Sequence, residues 1–257
     1  MCRVGLVGYG SWGANLARNL AQVVEKPAFI CDHSADRLAA SKAAFPNVCL
    51  VADWRDALAQ PADGIVISTP SNHHFRMASE ALSAGRHVFI EKPFALSVNH
   101  AEVLVEQASR LGLILMIDHT YLFSPAIRAA ARLIAEGAIG LPTQVTSQRF
   151  NTGGIRYDAP IHWDLASHDL AILDYLFPAL PESVSANFGS CGHAVDLLLR
   201  FPIGMEARIS VSWVADAKRR IFEVQGTRGS LRIDDLQPRR KLRYFEADPA
   251  IVKPDGK

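Results

Sequence analysis

Along the first 120 residues, short apolar or β-branched runs alternate with longer segments in which apolar residues recur every three or four positions. The runs predict strands at Arg3–Val7, Ala28–Cys31, Val48–Val51, Ile65–Ser68, His87–Ile90 and Ile114–Ile117. The periodic segments predict helices over Trp12–Gln22, Ala35–Ala44, Trp54–Ala59, His73–Ala84 and Ser97–Leu111. Hydrophobicity within each strand is nearly continuous rather than alternating, as a parallel sheet covered on both faces requires. The pattern predicts an α/β domain over residues 1–120, built on a doubly wound parallel sheet.

After Ile117 the texture changes. A helix at Pro125–Glu136 stops on Gly137, a long polar, Gly-containing stretch runs from Gln144 to Trp163, and another helix occupies Ala166–Leu176. From Ser183 onward strand-like runs dominate, with Ala194–Phe201, Met205–Val214, Ile221–Gln225 and Ser230–Ile233 parted by turn signals at Pro202-Ile203-Gly204 and Gly226-Thr227-Arg228-Gly229. Residues 121–257 therefore read as an α+β domain with a mainly antiparallel sheet and helices on one face. Apolar and polar residues alternate in Met205–Val214, so the other face of this sheet offers side chains without intramolecular cover. The tail Ala247–Lys257 reads as frayed.

Composition narrows the class. With 49% hydrophobic and 21% charged residues in 257, the chain can bury a core, which excludes a disordered or collagen-like protein. The 27 basic and 26 acidic residues leave a net charge of +1, no field for attracting nucleic acid or anionic lipid. The longest apolar run, Leu111–Ile117, falls far short of the roughly 20 residues of a membrane helix. The N-terminus enters strand-like sequence at once, without a basic n-region or apolar h-region, and a cytoplasmic location is expected. Cys2, Cys31, Cys49 and Cys191 form no CxxC pair and read as small core residues of a reducing compartment.

Gly8-Tyr9-Gly10-Ser11-Trp12-Gly13 is a G-x-G-x-x-G between the first predicted strand and the first predicted helix. The glycines permit a tight turn, close approach of backbone to a pyrophosphate and close helix–strand packing, while the helix N-terminus offers N–H donors to the phosphates. By itself the hexapeptide also suits an ordinary βα turn. Asp32, about 20 residues on at the end of the second strand, is the acid that accepts from the adenosine ribose, and it sets both halves of a Rossmann fingerprint in register. A carboxylate there repels a 2′-phosphate and favours NAD over NADP, with Arg37 nearby pulling the other way. Thr69, Pro70, Asn72 and His74 follow the fourth strand, and Glu91-Lys92-Pro93 follows the fifth. Ligands of open α/β sheets bind outside those strand ends, which adds these residues to the cofactor cleft. Lys92 is a compact cation with three donors, suited to holding a substrate hydroxyl and its developing negative charge.

Gly8–Gly13, Thr69-Pro70 with His74, the segment Gly85–Pro93 and Asp118-His119-Thr120-Tyr121 together resemble the Gfo/Idh/MocA oxidoreductases, which include glucose–fructose oxidoreductase, inositol dehydrogenases and nucleotide-sugar dehydrogenases. The Glu-Lys-Pro segment is the most specific element. The resemblance implies that Pro93 helps aim Lys92 through a cis bond, and that a homodimer or homotetramer is built on the uncovered face of the C-terminal sheet. It also bears on His162-Trp163-Asp164-Leu165-Ala166-Ser167-His168-Asp169, where Asp164 and His168 stand four apart at a helix start and so share a face. Relatives place an Asp and a His at this spacing, which makes His168 the general acid/base and Asp164 the group that positions substrate and imidazole. An unperturbed imidazole titrates near 6.5 and can take a hydroxyl proton. Asp169, also at the helix start, is an alternative for either role. Asp164, His168 and His162 lack a third ligand on the same face, so no metal is expected.

The expected activity is hydride transfer between NAD and a secondary alcohol or ketone of a sugar, inositol or nucleotide sugar. Gly10–Leu16 with Arg18-Asn19 leans toward nucleotide-activated or amino sugars. An NAD-dependent glycosidase and a non-catalytic NAD-binding subunit are the alternatives, the latter because typical relatives carry a longer C-terminal half.

Overall fold

The computed structural model describes residues 2–202 and 204–247; the tail expected to fray lies, from residue 248 on, outside the described residues. The chain divides into two compact units, Met1–Asp118 and His119–Lys257.

The first unit is a six-stranded sheet of β1 (Val4–Val7), β2 (Phe29–Cys31), β3 (Cys49–Val51), β4 (Gly64–Ile67), β5 (His87–Ile90) and β6 (Leu115–Ile117), in the order β3-β2-β1-β4-β5-β6 with every pairing parallel. Each strand lies within a residue of its sequence expectation. The helices are α1 (Ser11–Val24), α2 (Ala35–Ala44), α3 (Trp54–Ala59), α4 (His74–Ser83) and α5 (Val98–Leu111). Local chemistry sets their ends: Ser34, Asp53 and Ser97 side chains accept from backbone N–H groups in the first turns of α2, α3 and α5, and Gly112 closes α5 in the left-handed conformation. Two apolar clusters sandwich the sheet, one holding Phe29, Ile65, Ile67, Leu82 and Leu104, the other Leu6, Ile30 and Val66. Strand order reverses between β1 and β4, which puts a crevice at their carboxyl ends.

The second unit opens with a 3-10 turn at Thr120–Phe123 and α6 (Pro125–Ala135), followed by β7 (Pro142–Thr152), a π-helical turn at His162–Ala166 and α7 (Ser167–Leu176). Then come β8 (Ser183–Phe188), β9 (Ala194–Arg200), β10 (Glu206–Ser212), β11 (Val214–Gly226), β12 (Gly229–Asp234) and β13 (Leu242–Glu246). Seven strands run in the order β13-β12-β11-β7-β10-β9-β8, antiparallel except for the parallel pair β7–β10. One face packs Val145, Ile209, Phe222 and Leu231 against Ile127 of α6 and Ile172 and Leu173 of α7. The other face is polar, with Glu223 of β11 paired to Arg232 at 2.9 Å and accepting from Thr146.

The expectation for the cysteines is corrected here, and the polar stretch proves to hold a strand. The first half of the polar stretch Gln144–Trp163 is the central strand β7, whose covered face carries buried Ser147 and Arg149 beside Val145, so no apolar alternation marks it. Of the cysteines, Cys31 alone is buried; Cys49 stands on the edge strand β3 and, like Cys2 and Cys191, is exposed. Burial, followed by the nearby Asp32, Asp53 and Asp56, pushes the Cys31 thiol up to about 12. Among the described residues no helix is long and apolar enough to cross a membrane.

Candidate active site

In the first unit the glycine-rich turn joins β1 to α1. Gly8 adopts φ +92°, and a methyl there would fall 2.4 Å from the Ser68 carbonyl oxygen. At Gly13 a methyl would fall 1.9 Å from the Gly8 carbonyl oxygen, so α1 can seat this closely only on a glycine. Gly10 is different: space above it is open, and it caps α1 without a side-chain hydrogen bond. An uncapped helix N-terminus under open space is a cradle for a diphosphate, and Ser11 and Trp12 stand exposed on its first turn.

Asp32 follows β2 with its carboxylate turned into the loop. Oδ2 accepts from Tyr9 N at 2.7 Å and Oδ1 from Ser34 N at 2.9 Å, while Arg37 lies 3.6 Å away. The same carboxylate thus braces the glycine turn and stands where a ribose would be read. These residues fit a dinucleotide.

At the ends of β4 and β5, Thr69 is half-buried, Pro70 and Asn72 are exposed, and His74 is buried. The His74 ring bridges the two segments, with Nδ1 2.8 Å from the Pro93 carbonyl and Nε2 3.0 Å from that of Thr69. The ring therefore braces residues 69–74 against residues 91–93. Lys92 stands two residues past the end of β5, half-buried, and the Lys92–Pro93 bond is cis. Glu91 is buried and shares a hydrogen bond with the Asp118 side chain. Burial, then Asp118, pushes its carboxyl up to about 9, so Glu91 holds a proton at neutral pH. Asp118 also accepts from Trp12 Nε1 at 3.3 Å, which links the glycine turn to the end of β6. Asp118 belongs to a segment that carries the family resemblance, but in sequence a lone Asp after a strand carries no sign of a buried partner.

In the second unit, Asp164 lies in the π-helical turn and His168 in the first turn of α7. Single π turns inside helices are uncommon and gather at functional sites. Asp164 is buried; its Oδ2 accepts from Trp213 Nε1 at 2.9 Å and its Oδ1 lies 3.4 Å from Arg156 Nη1. Arg156 grips Asp158 through two bonds of 2.9 and 2.7 Å, from the loop that Gly153 and Gly154 begin. The His168 ring is half-buried and stands edge-on to Tyr121, centroids 5.0 Å apart.

Asp169 is excluded from the alternative role it was offered. It sits in a buried fork with Arg149, at 2.7 and 2.9 Å, and also accepts from Ser147 Oγ. His162 points elsewhere, packing edge-on against Phe188, and burial lowers its pKa. Among the described residues no three His, Cys, Asp or Glu side chains converge as metal ligands.

With the geometry in place, comparisons give the lineage. The profile of the oxidoreductase family with an NAD-binding Rossmann fold matches residues 2–119, and that of the GFO/IDH/MocA C-terminal domain matches residues 127–232. The chain is 33% identical over 190 residues to UDP-N-acetylglucosamine 3-dehydrogenase of Acidithiobacillus ferrooxidans, a stretch that covers 72% of this chain and 57% of that relative. It is 26% identical over 257 residues to scyllo-inositol 2-dehydrogenase (NAD(+)) of Bacillus subtilis, covering 91% of this chain and 74% of that one. Among solved structures, the WlbA dehydrogenase of Bordetella pertussis in complex with NADH and UDP-GlcNAcA superposes with a TM-score of 0.87 at 26% identity, covering 96% of this chain and 78% of that one. Matched through both of its units, the chain belongs to the Gfo/Idh/MocA oxidoreductase family.

Proposed function

We propose that the chain is an NAD-dependent dehydrogenase acting on a secondary alcohol of a sugar, inositol or nucleotide sugar. The observation that carries the reading is the pair Asp164 and His168 at a π-helical turn, in a chain whose other unit sets Lys92 two residues past the end of β5. The relatives named above are dehydrogenases of an inositol and a nucleotide sugar.

Gly8, Gly10, Ser11, Trp12 and Gly13 hold the pyrophosphate, Asp32 the adenosine ribose, and Thr69, Pro70, Asn72 and Glu91 border the rest of the dinucleotide, with His74 bracing them. When bound, the nicotinamide supplies the two-electron acceptor. Lys92 holds the reacting oxygen through its ammonium and stabilises negative charge as it builds there. His168 takes the hydroxyl proton, and Asp164, itself fixed by Trp213 and Arg156, orients substrate and imidazole. In the reverse direction His168 returns the proton to the carbonyl oxygen. The acid at Asp32 favours NAD over NADP.

The open face of the second sheet carries a groove of about 460 Å³ bordered by Asn187, Asp196, Leu198, Arg208 and Ser210, and self-association through this face is part of the same reading. The test is NADH formation over a panel of scyllo-inositol, D-apiose and UDP-N-acetylglucosamine. Oxidation of one member with NAD and not of the others supports the reading. Turnover of none, with NAD still bound, favours the non-catalytic NAD-binding subunit.

A further inference from the structure

An arginine on the helix-covered face of a sheet is costly unless its charge is met, and β7 places Arg149 there. Asp169 meets it. The guanidinium donates from Nε at 2.7 Å and from Nη2 at 2.9 Å, and Ser147 Oγ donates to the same carboxylate at 2.8 Å. This fork ties β7 to α7 at the residue next to His168. Burial works against the charge on Arg149, yet Asp169 and then Tyr121 more than offset it and raise its pKa above the usual guanidinium value. The cation lies over the ring of Tyr121, with Cζ 4.3 Å from the centroid. Tyr121 in turn presents its ring to His168 at 70° and 5.0 Å.

We propose that Tyr121 and Arg149 are positioning residues for His168. Ser147 holds the Asp169 carboxylate, Asp169 fixes the guanidinium, the guanidinium fixes the Tyr121 ring, and that ring holds the imidazole in one orientation. A misplacement of about 1 Å at a reacting group costs on the order of 10²-fold in rate. The arrangement also accounts for an ion pair in a core that apolar residues of similar size would otherwise fill. The proposal rests on the reading of His168 as acid/base and extends it by naming what aims the ring.

The experiment compares Tyr121→Leu with Tyr121→Phe in the full chain, by NMR of the His168 ring protons without substrate and by steady-state kinetics with NAD and the best-oxidised member of the panel. Tyr121→Leu should give the His168 ring NOE contacts of more than one rotamer and lower kcat about tenfold or more at little-changed KM. Tyr121→Phe, which keeps the ring but loses the hydroxyl's hydrogen bonds to Arg149 and Arg220, should restore most of both. A purely structural role would lower Tm while leaving the NOE contacts of the His168 ring and kcat of the folded protein unmoved, and that result overturns the proposal. If Tyr121→Leu does not fold, the pair Arg149→Met with Asp169→Leu removes both buried partners of the fork together, and unchanged His168 signals in it overturn the proposal equally. Should His168→Ala retain full turnover, the acid/base reading falls, whereas the NMR comparison still decides whether Tyr121 orients the ring.

Discussion

Replacing Glu91 with Gln should flatten the pH dependence of stability in the first unit. Folded Glu91 keeps its proton to about 9, because burial and then the Asp118 carboxylate disfavour its charge, against an ordinary value of 4.5 once unfolded. A raised folded pKa gives stability that is full below the unfolded value and is lost as pH climbs toward the folded one. One proton released on unfolding makes the slope about 1.4 kcal/mol per pH unit, so raising the pH from 5 to 7 costs the first unit up to about 3 kcal/mol. A Gln amide donates to Asp118 as the protonated acid does, but cannot ionise. Urea unfolding at several pH values between 5 and 8, read by pulsed hydrogen exchange so that the units report separately, supplies the comparison. The difference between wild type and Glu91→Gln isolates the Glu91–Asp118 pair from the other titrating groups, and the variant should gain on the wild type steadily as pH rises. Parallel curves across that range would refute the shared proton.

Gly13→Ala drives a methyl into the Gly8 carbonyl and should abolish NAD binding in calorimetry while the second unit keeps its hydrogen-exchange protection. Asp32→Ala should narrow the preference for NAD over NADP in paired titrations; tighter NADPH than NADH binding to the unmodified protein would instead put Arg37 in charge of the choice. Trp213→Phe removes a donor from buried Asp164 and should cost about 1–3 kcal/mol of stability in urea unfolding, with a loss of turnover that Trp163→Phe does not share. Light scattering at micromolar concentration should give a dimer or tetramer mass, and a monomer mass contradicts self-association through the sheet.

The first unit was legible because its strands are covered on both faces, so each reads as a plain apolar run bounded by turns, and the glycine turn with Asp32 marks the crevice between β1 and β4. The second sheet was legible only where apolar residues alternate, as in β9 and β10. In β7 both faces carry polar groups, since Ser147 and Arg149 turn inward to Asp169 while Thr146 and Gln148 turn outward, and periodicity cannot register a strand whose burial is satisfied by an ion pair. The spacing of Asp164 and His168 was visible, whereas the groups that hold them, Trp213 some fifty positions on and Tyr121 well before, are joined to them only by tertiary contact. Charged residues near a helix start look alike in sequence, so what separates Asp169 from Asp164 is the partner each one meets.

The division of labour between Lys92 and His168 is tested most directly by measuring NAD affinity and NADH formation side by side in the unmodified protein, Lys92→Ala and His168→Ala, with the best-oxidised member of the panel. The account predicts near-normal NAD affinity in both variants. It predicts a loss of turnover equivalent to about 3–4 kcal/mol for Lys92→Ala. For His168→Ala it predicts a fall on the order of 10²–10⁴, with an ionisation near neutral pH gone from the rate profile. Turnover in either variant within a few-fold of the unmodified protein, at equal NAD affinity, would contradict it.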